Sequence, residues 1–277
     1  MNNAMNVSIQ PSAQSATQTA TPTSPKSWLT PALRPHLLAV FGLLLLLVLW
    51  HFGVLWLQGS MPIASQLAPL PAFESLWHLL TQGQLNTHIG TSLRRVLIGL
   101  GLALLIGVPI GLLVGRSALF EQTSTGAFQL LRMISPLSWM PVVVMLFGIG
   151  DAPIYFLLTF AAVWPIILNT AAGVKSIDPQ WLRLGASLSA TPWETLSRII
   201  LPAVFGHVLT GLRLAIGVVW IVLVPCEMLG VTSGLGYFIL DTRDRMAYSE
   251  LMAAIVLIGL IGWLLDSSVR YLHRRWG

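Results

Sequence analysis

Residues 96–114 read VLIGLGLALLIGVPIGLLV, nineteen positions without a charge. An α-helix crossing about 30 Å of hydrocarbon needs about 20 apolar residues, so this run has the length of a membrane span. Gly99, Gly101, Gly107 and Gly111 interrupt its aliphatic residues, and Gly115 follows. Small residues on a membrane helix let a neighbour approach closely, so this helix is expected to pack inside a bundle. Five further runs have span length: residues 36–57, 130–148, 153–174, 204–229 and 251–272. The run at 130–148 contains Pro136 and Pro141 and is expected to begin with a broken or tilted portion, which lipid tolerates where neighbours satisfy the freed backbone groups. The reading is an all-α polytopic membrane protein of about six spans, with a membrane domain over residues 36–277. A Pro- and Gln-containing loop is expected between the first two spans, over residues 58–88.

Composition agrees. Of 277 residues, 55% are hydrophobic and 9% charged, against roughly 25% charged in a soluble domain. The mean hydropathy is +0.77. Too few charges exist to clothe a water-facing surface, so lipid is the expected partner over much of the protein. Cys226 is the single cysteine, which rules out an intrachain disulfide and a cysteine-based metal site. The net charge of +5 resides mostly in short loops and the tail, a pattern of membrane orientation rather than of nucleic-acid binding. Residues 1–35, rich in Ser, Thr, Gln, Ala and Pro, are expected to form a disordered cytoplasmic tail. With the N-terminus inside, ten Lys and Arg fall inside (among them Arg116, Arg132, Lys175, Arg183 and Arg198) and four outside: Arg94, Arg95, Arg243 and Arg245. That bias favours both termini in the cytoplasm.

The polar interval at residues 175–202 is too charged to cross a membrane and too long for a simple turn. It reads KSIDPQWLRLGASLSATPWETLSRIILP. Asp178 can cap a helix with Pro179 at its first position, and Thr191 and Glu194 have capping-box spacing. Two short helices joined at Ser189 and Ala190 are expected on the cytoplasmic face, exposing Leu182, Leu184, Leu188 and Trp193. Such a segment can be a docking surface or an ordinary amphipathic interfacial stretch.

The interval resembles the EAA loop of binding-protein-dependent ABC importer permeases, in which Glu-Ala-Ala, three residues, Gly and nine residues precede Ile-x-Leu-Pro. Ile199, Leu201 and Pro202 match its end. Ser189 stands where the Gly is expected, and Arg183, Leu184 and Gly185 depart from Glu-Ala-Ala. Flanking segments (Trp164 to Thr170, Thr210 to Arg213, Glu227 to Leu229 and Ser233 to Tyr237) resemble the sulfonate/nitrate/taurine branch, over roughly residues 85–272. The resemblance implies a type I importer permease. Two copies would form the pathway, cytoplasmic ABC ATPase subunits would each receive one loop, and a periplasmic solute-binding protein would deliver a small oxyanion. The chain has no Gly-x-x-x-x-Gly-Lys-Ser/Thr phosphate loop. No cofactor of its own is therefore expected, and ATP and Mg would be used by the partner ATPase.

Arg213 and Glu227, both within the run at 204–229, are the candidate pathway residues. Arg213 reads either as an anion-attracting pathway residue or as a structural cation reaching for the cytoplasmic interface. Glu227, beside Pro225 and Cys226, reads as a proton or cation relay or as a hydrogen-bonding structural group. An ion-gradient-driven secondary transporter would instead want acidic or broken-helix sites near mid-bilayer, and an intramembrane enzyme would want a catalytic set that the sequence does not offer.

Overall fold

The computed structural model describes residues 34–59 and 61–276, so the expected disorder of the N-terminal tail lies outside the described residues, apart from Arg34 and Pro35, which begin the first helix. The chain divides into two units, Met1–Leu49 and Trp50–Gly277. Helix α1 (Arg34–Gln58) runs through that boundary and is apolar all round, as a lipid-facing span is.

Within the second unit, residues 58–88 are not a loop. A 3₁₀ turn at Pro62–Leu67 leads into α2 (Pro69–Thr81), and α3 (Gln84–Arg116) starts well before the apolar run. Hydropathy misses α2 because it is amphipathic: Ala72 and Leu79 are buried, while Leu70 and Trp77 face outward. Its buried side joins a cluster with Leu235 and Phe238 and with Ala253, Ala254 and Leu257 of the last helix.

The third apolar run also differs from a span over 130–148. Helix α4 (Ala118–Met133) and the segment Pro136–Phe147, which ends in α5 (Met140–Phe147), meet at a bend of 86°. The break falls at Ile134 and Ser135, whose ψ angles of 124° and 129° are extended. Pro136 disfavours helical geometry in the residue before it, and each new turn begins with a proline near its first position.

Helix α6 (Asp151–Lys175) is the most buried of the five long apolar helices. Glycines of α3 explain the close contact on one side. A Cβ at Gly99 would lie 2.7 Å from Leu158 Cβ, and at Gly111 it would lie 2.6 Å from Thr170 Cβ. On the other side α6 packs against the long helix α8 (Pro192–Glu227), where a Cβ on Gly211 would meet the Pro165 carbonyl at 3.0 Å. Val96, Leu100, Leu157, Leu158, Val219 and Leu223 fill the core between these three helices. Helix α7 (Pro179–Ser187) lies between α6 and α8, α9 (Leu235–Asp244) follows α8, and α10 (Tyr248–Trp276) closes the chain.

Candidate functional site

The polar interval forms a corner of defined geometry. The Asp178 carboxylate accepts the Gln180 N–H at 2.8 Å and starts α7 at Pro179. Helix α7 ends where Ser189 adopts φ +55°, and the Ala190 N–H then donates to the Gly185 carbonyl at 3.0 Å. A left-handed residue at a helix end releases the chain in a new direction, usually through Gly. Ser189 therefore performs, with a side chain, the turn for which the family pattern has Gly.

Thr191 begins the second helix through a reciprocal box. Its hydroxyl accepts the Glu194 N–H at 3.3 Å, and the Glu194 carboxylate accepts the Thr191 N–H at 2.9 Å. This helix is not a separate short piece: it continues into the fifth span as α8. Residues Thr195–Ile200 form a π-helical turn, in which the Leu201 N–H donates to the Leu196 carbonyl. Pro202 has no N–H for the Arg198 carbonyl, and its ring crowds that group, so the helix widens just ahead of it.

The two ends of the interval meet. A Cβ on Gly185 would lie 2.9 Å from Ile199 Cδ1, so α7 rests on the π-turn at the one position with no side chain. Between them opens a groove of about 540 Å³ lined by Trp181, Leu184, Gly185, Leu188, Glu194, Arg198 and Ile199. Trp181, Leu184 and Leu188 are 59%, 50% and 74% exposed, and Trp193 is 72% exposed. Arg183 points outward, whereas Ile200 beneath is buried, and Leu201 and Pro202 remain at the surface. Trp181 is missing from the sequence reading. Its spacing of three and seven residues from Leu184 and Leu188 places it on the same helix face, which is the signal that finds it.

The other end of α8 carries a buried polar cluster. Glu227 is fully buried and Arg95 is 1% exposed. Arg95 Nη1 donates to Glu227 at 2.7 Å and to the Ser233 carbonyl at 2.7 Å, while Nη2 donates to Asp151 at 2.6 Å. The Ser92 hydroxyl lies 2.8 Å from both Glu227 oxygens and accepts the Leu235 N–H. Gly236 N–H donates to Glu227 at 3.0 Å, and Gly234 N–H donates to His88 Nδ1 at 3.2 Å. A Cβ on Gly234, at φ +121°, would lie 2.5 Å from Glu227 Cδ, so only glycine fits the turn against the carboxylate. Arg95 was expected in the outer loop. Two carboxylates compensate it, which lets α3 continue through a charge that hydropathy reads as a boundary.

Arg213 pairs with Asp266 of α10 at 3.4 Å, both being about two-fifths exposed, and Asp266 also accepts from Arg270 at 2.9 Å. The cluster at Glu227 and this pair are thus separate, fourteen residues and so about 21 Å apart along α8.

Five long apolar helices, a bent helix pair and a capped polar corner between two spans define a polytopic membrane protein. Residues 107–277 match the family described as the binding-protein-dependent transport system inner membrane component. The chain belongs to that family of ABC importer permeases and is a multi-pass inner-membrane protein. It is 33% identical over 216 residues to the nitrate import permease protein NrtB of Leptolyngbya laminosa, covering 75% of this chain and 77% of the relative. It is 32% identical over 256 residues to the taurine transport system permease protein TauC of Escherichia coli K12, covering 90% and 91%. A putative aliphatic sulfonates transport permease protein, SsuC of Bacillus subtilis, is 32% identical, with 71% of each chain covered. Among solved structures, an inward-facing MetNI methionine ABC transporter matches with a TM-score of 0.55 at 18% identity, over 67% of this chain and 93% of that one. That likeness concerns the fold alone.

Proposed function

We propose that this permease carries a small oxyanion such as nitrate, taurine or an aliphatic sulfonate, and that α7 with the base of α8 receives the force of a partner ATPase. The observation that carries the coupling reading is the apolar row Trp181, Leu184 and Leu188 beside Trp193, on a corner fixed by two caps and one left-handed residue. Apolar side chains exposed on a rigid polar segment favour a protein partner. Two copies of the chain form the pathway, with both termini cytoplasmic by the distribution of Lys and Arg. ATP and Mg are bound and turned over by the partner, a periplasmic protein delivers the cargo, and closure of the ATPases shifts the corner between two states. The oxyanion class rests on the named cargoes of the relatives.

Leu188→Asp and Trp193→Asp test the coupling. Each is expected to lower co-purification of the ATPase, or transport per ATP hydrolysed, by at least about tenfold, the loss of one anchor worth roughly 1.4 kcal/mol or more. Normal assembly together with normal coupling in both variants would refute it. Uptake of nitrate, bicarbonate, taurine and ethanesulfonate into proteoliposomes tests the cargo class.

A further inference from the structure

Helices α4 and α6, with Val114 of α3, line a second cavity of about 370 Å³ that shares no lining residue with the coupling groove. Its mouth is marked by the ion pair of Glu121 and Lys175. From there it follows α6 to Trp164, eleven residues and so about 16 Å along the helix, where the Phe128 and Trp164 ring centroids stand 5.6 Å apart. Ile167, Leu168 and Ala171 make its wall apolar.

Charge in this cavity is unbalanced. Arg132 and Lys175 are two cations against the single carboxylate of Glu121. Arg132 has no salt-bridge partner among the described residues. Arg132 is exposed and stands in the last turn of α4, where the helix dipole favours a cation, and a cation beside a membrane-embedded wall draws water or an anion to it. Two further residues with donors line the same cavity, Gln129 and Trp164, and the Trp164 indole N–H is buried without an acceptor among the described residues. Low-dielectric walls around an excess of positive charge concentrate the field.

We infer that this cavity is a transient station for the transported oxyanion, with Arg132 supplying the charge that draws it in; this rests on the oxyanion reading above. The volume admits a singly charged oxyanion with part of its hydration, and the modest donor set suits an ion that must also leave.

The chain's single cysteine, Cys226, is buried, so a thiol introduced in the cavity gives a direct test. In the full complex with ATPase and binding protein, Gln129→Cys places a thiol in the cavity. It is treated with an anionic reagent, sulfonatoethyl methanethiosulfonate, and with its cationic trimethylammonium counterpart. Relative to a free thiol, the anionic reagent is expected to react on the order of tenfold faster than the cationic one. Arg132→Gln should abolish that preference and Arg132→Lys should retain it, and ethanesulfonate or nitrate should slow the labelling. A preference near unity, a preference unchanged by Arg132→Gln, or a thiol that neither reagent reaches overturns the proposal. Uptake of the oxyanion panel by the unmodified complex is measured alongside. No uptake of any anion, with the charge preference intact, overturns the cargo reading and with it the station, while the local potential stands as measured.

Discussion

Replacing Glu227 by Gln keeps its shape and removes one of the two carboxylates that neutralise Arg95. The guanidinium is 1% exposed and cannot turn to water. Its remaining anion, Asp151, is a third exposed and shared with Arg94 at 2.6 Å. The new amide must also face donors from Arg95, Ser92 and Gly236, which all point at the carboxylate. Breaking one partner of a buried pair costs about 3–5 kcal/mol, and that range is expected here. Asp151→Asn should lose only about 1 kcal/mol, since solvent already screens that side. Removing both buried charges, Arg95→Met with Glu227→Gln, leaves no uncompensated ion. The double variant should therefore recover at least about 2 kcal/mol relative to the sum of the single losses. Reversible unfolding in mixed detergent micelles reads the wild type, Glu227→Gln, Arg95→Met, the double variant and Asp151→Asn. Additive losses, or a Glu227→Gln effect below that of Asp151→Asn, would refute the reasoning.

Four other outcomes follow from local geometry. Gly111→Val drives a side chain into Thr170 and the Ile167 carbonyl, at 2.6 and 2.8 Å from the first added carbon, and should destabilise by about 1–3 kcal/mol. Gly101→Ala, with nothing within 4 Å, should be neutral or gain up to about 1 kcal/mol in the same unfolding measurement. Ser189→Gly relieves a left-handed residue at φ +55° and should stabilise the corner by about 1 kcal/mol, seen as slower hydrogen exchange at the Ala190 amide. Arg213→Gln breaks a half-exposed contact of 3.4 Å and should change stability by less than about 1 kcal/mol; transport that collapses while stability holds would assign Arg213 to the pathway.

Hydropathy locates the long apolar helices because lipid imposes one requirement on every position of a span. It fails where two environments share a helix. Helix α2 buries Ala72 and Leu79 yet exposes Trp77, and no window average separates it from a loop. Arg95 fails for the opposite reason: its partners Asp151 and Glu227 lie 56 and 132 positions away, so nothing local announces that the charge is neutralised. The caps of the corner were legible because Asp178-Pro179 and Thr191 with Glu194 act within four residues. The π-turn was not, although Pro202 was in view, because a widened turn and a kink are alternative responses to the same missing N–H. The contact of Gly185 with Ile199 needs both helices in place before it exists.

Continuity of α8 from Pro192 to Glu227 has a mechanical meaning. Its 36 residues span about 54 Å at 1.5 Å per residue, so the segment that leaves the corner is the arm of a lever. Glu227, held by three donors from two other segments, is the fulcrum. A tilt of about 10° around that point carries the far tip about 9 Å along its arc, given the same helical rise. Under the coupling proposed above, a small rocking at the clamped end and a large stroke at Trp193 are one movement, and stiffness at the Arg95–Glu227 contact sets how much of the stroke is delivered as tilt instead of being lost as slip.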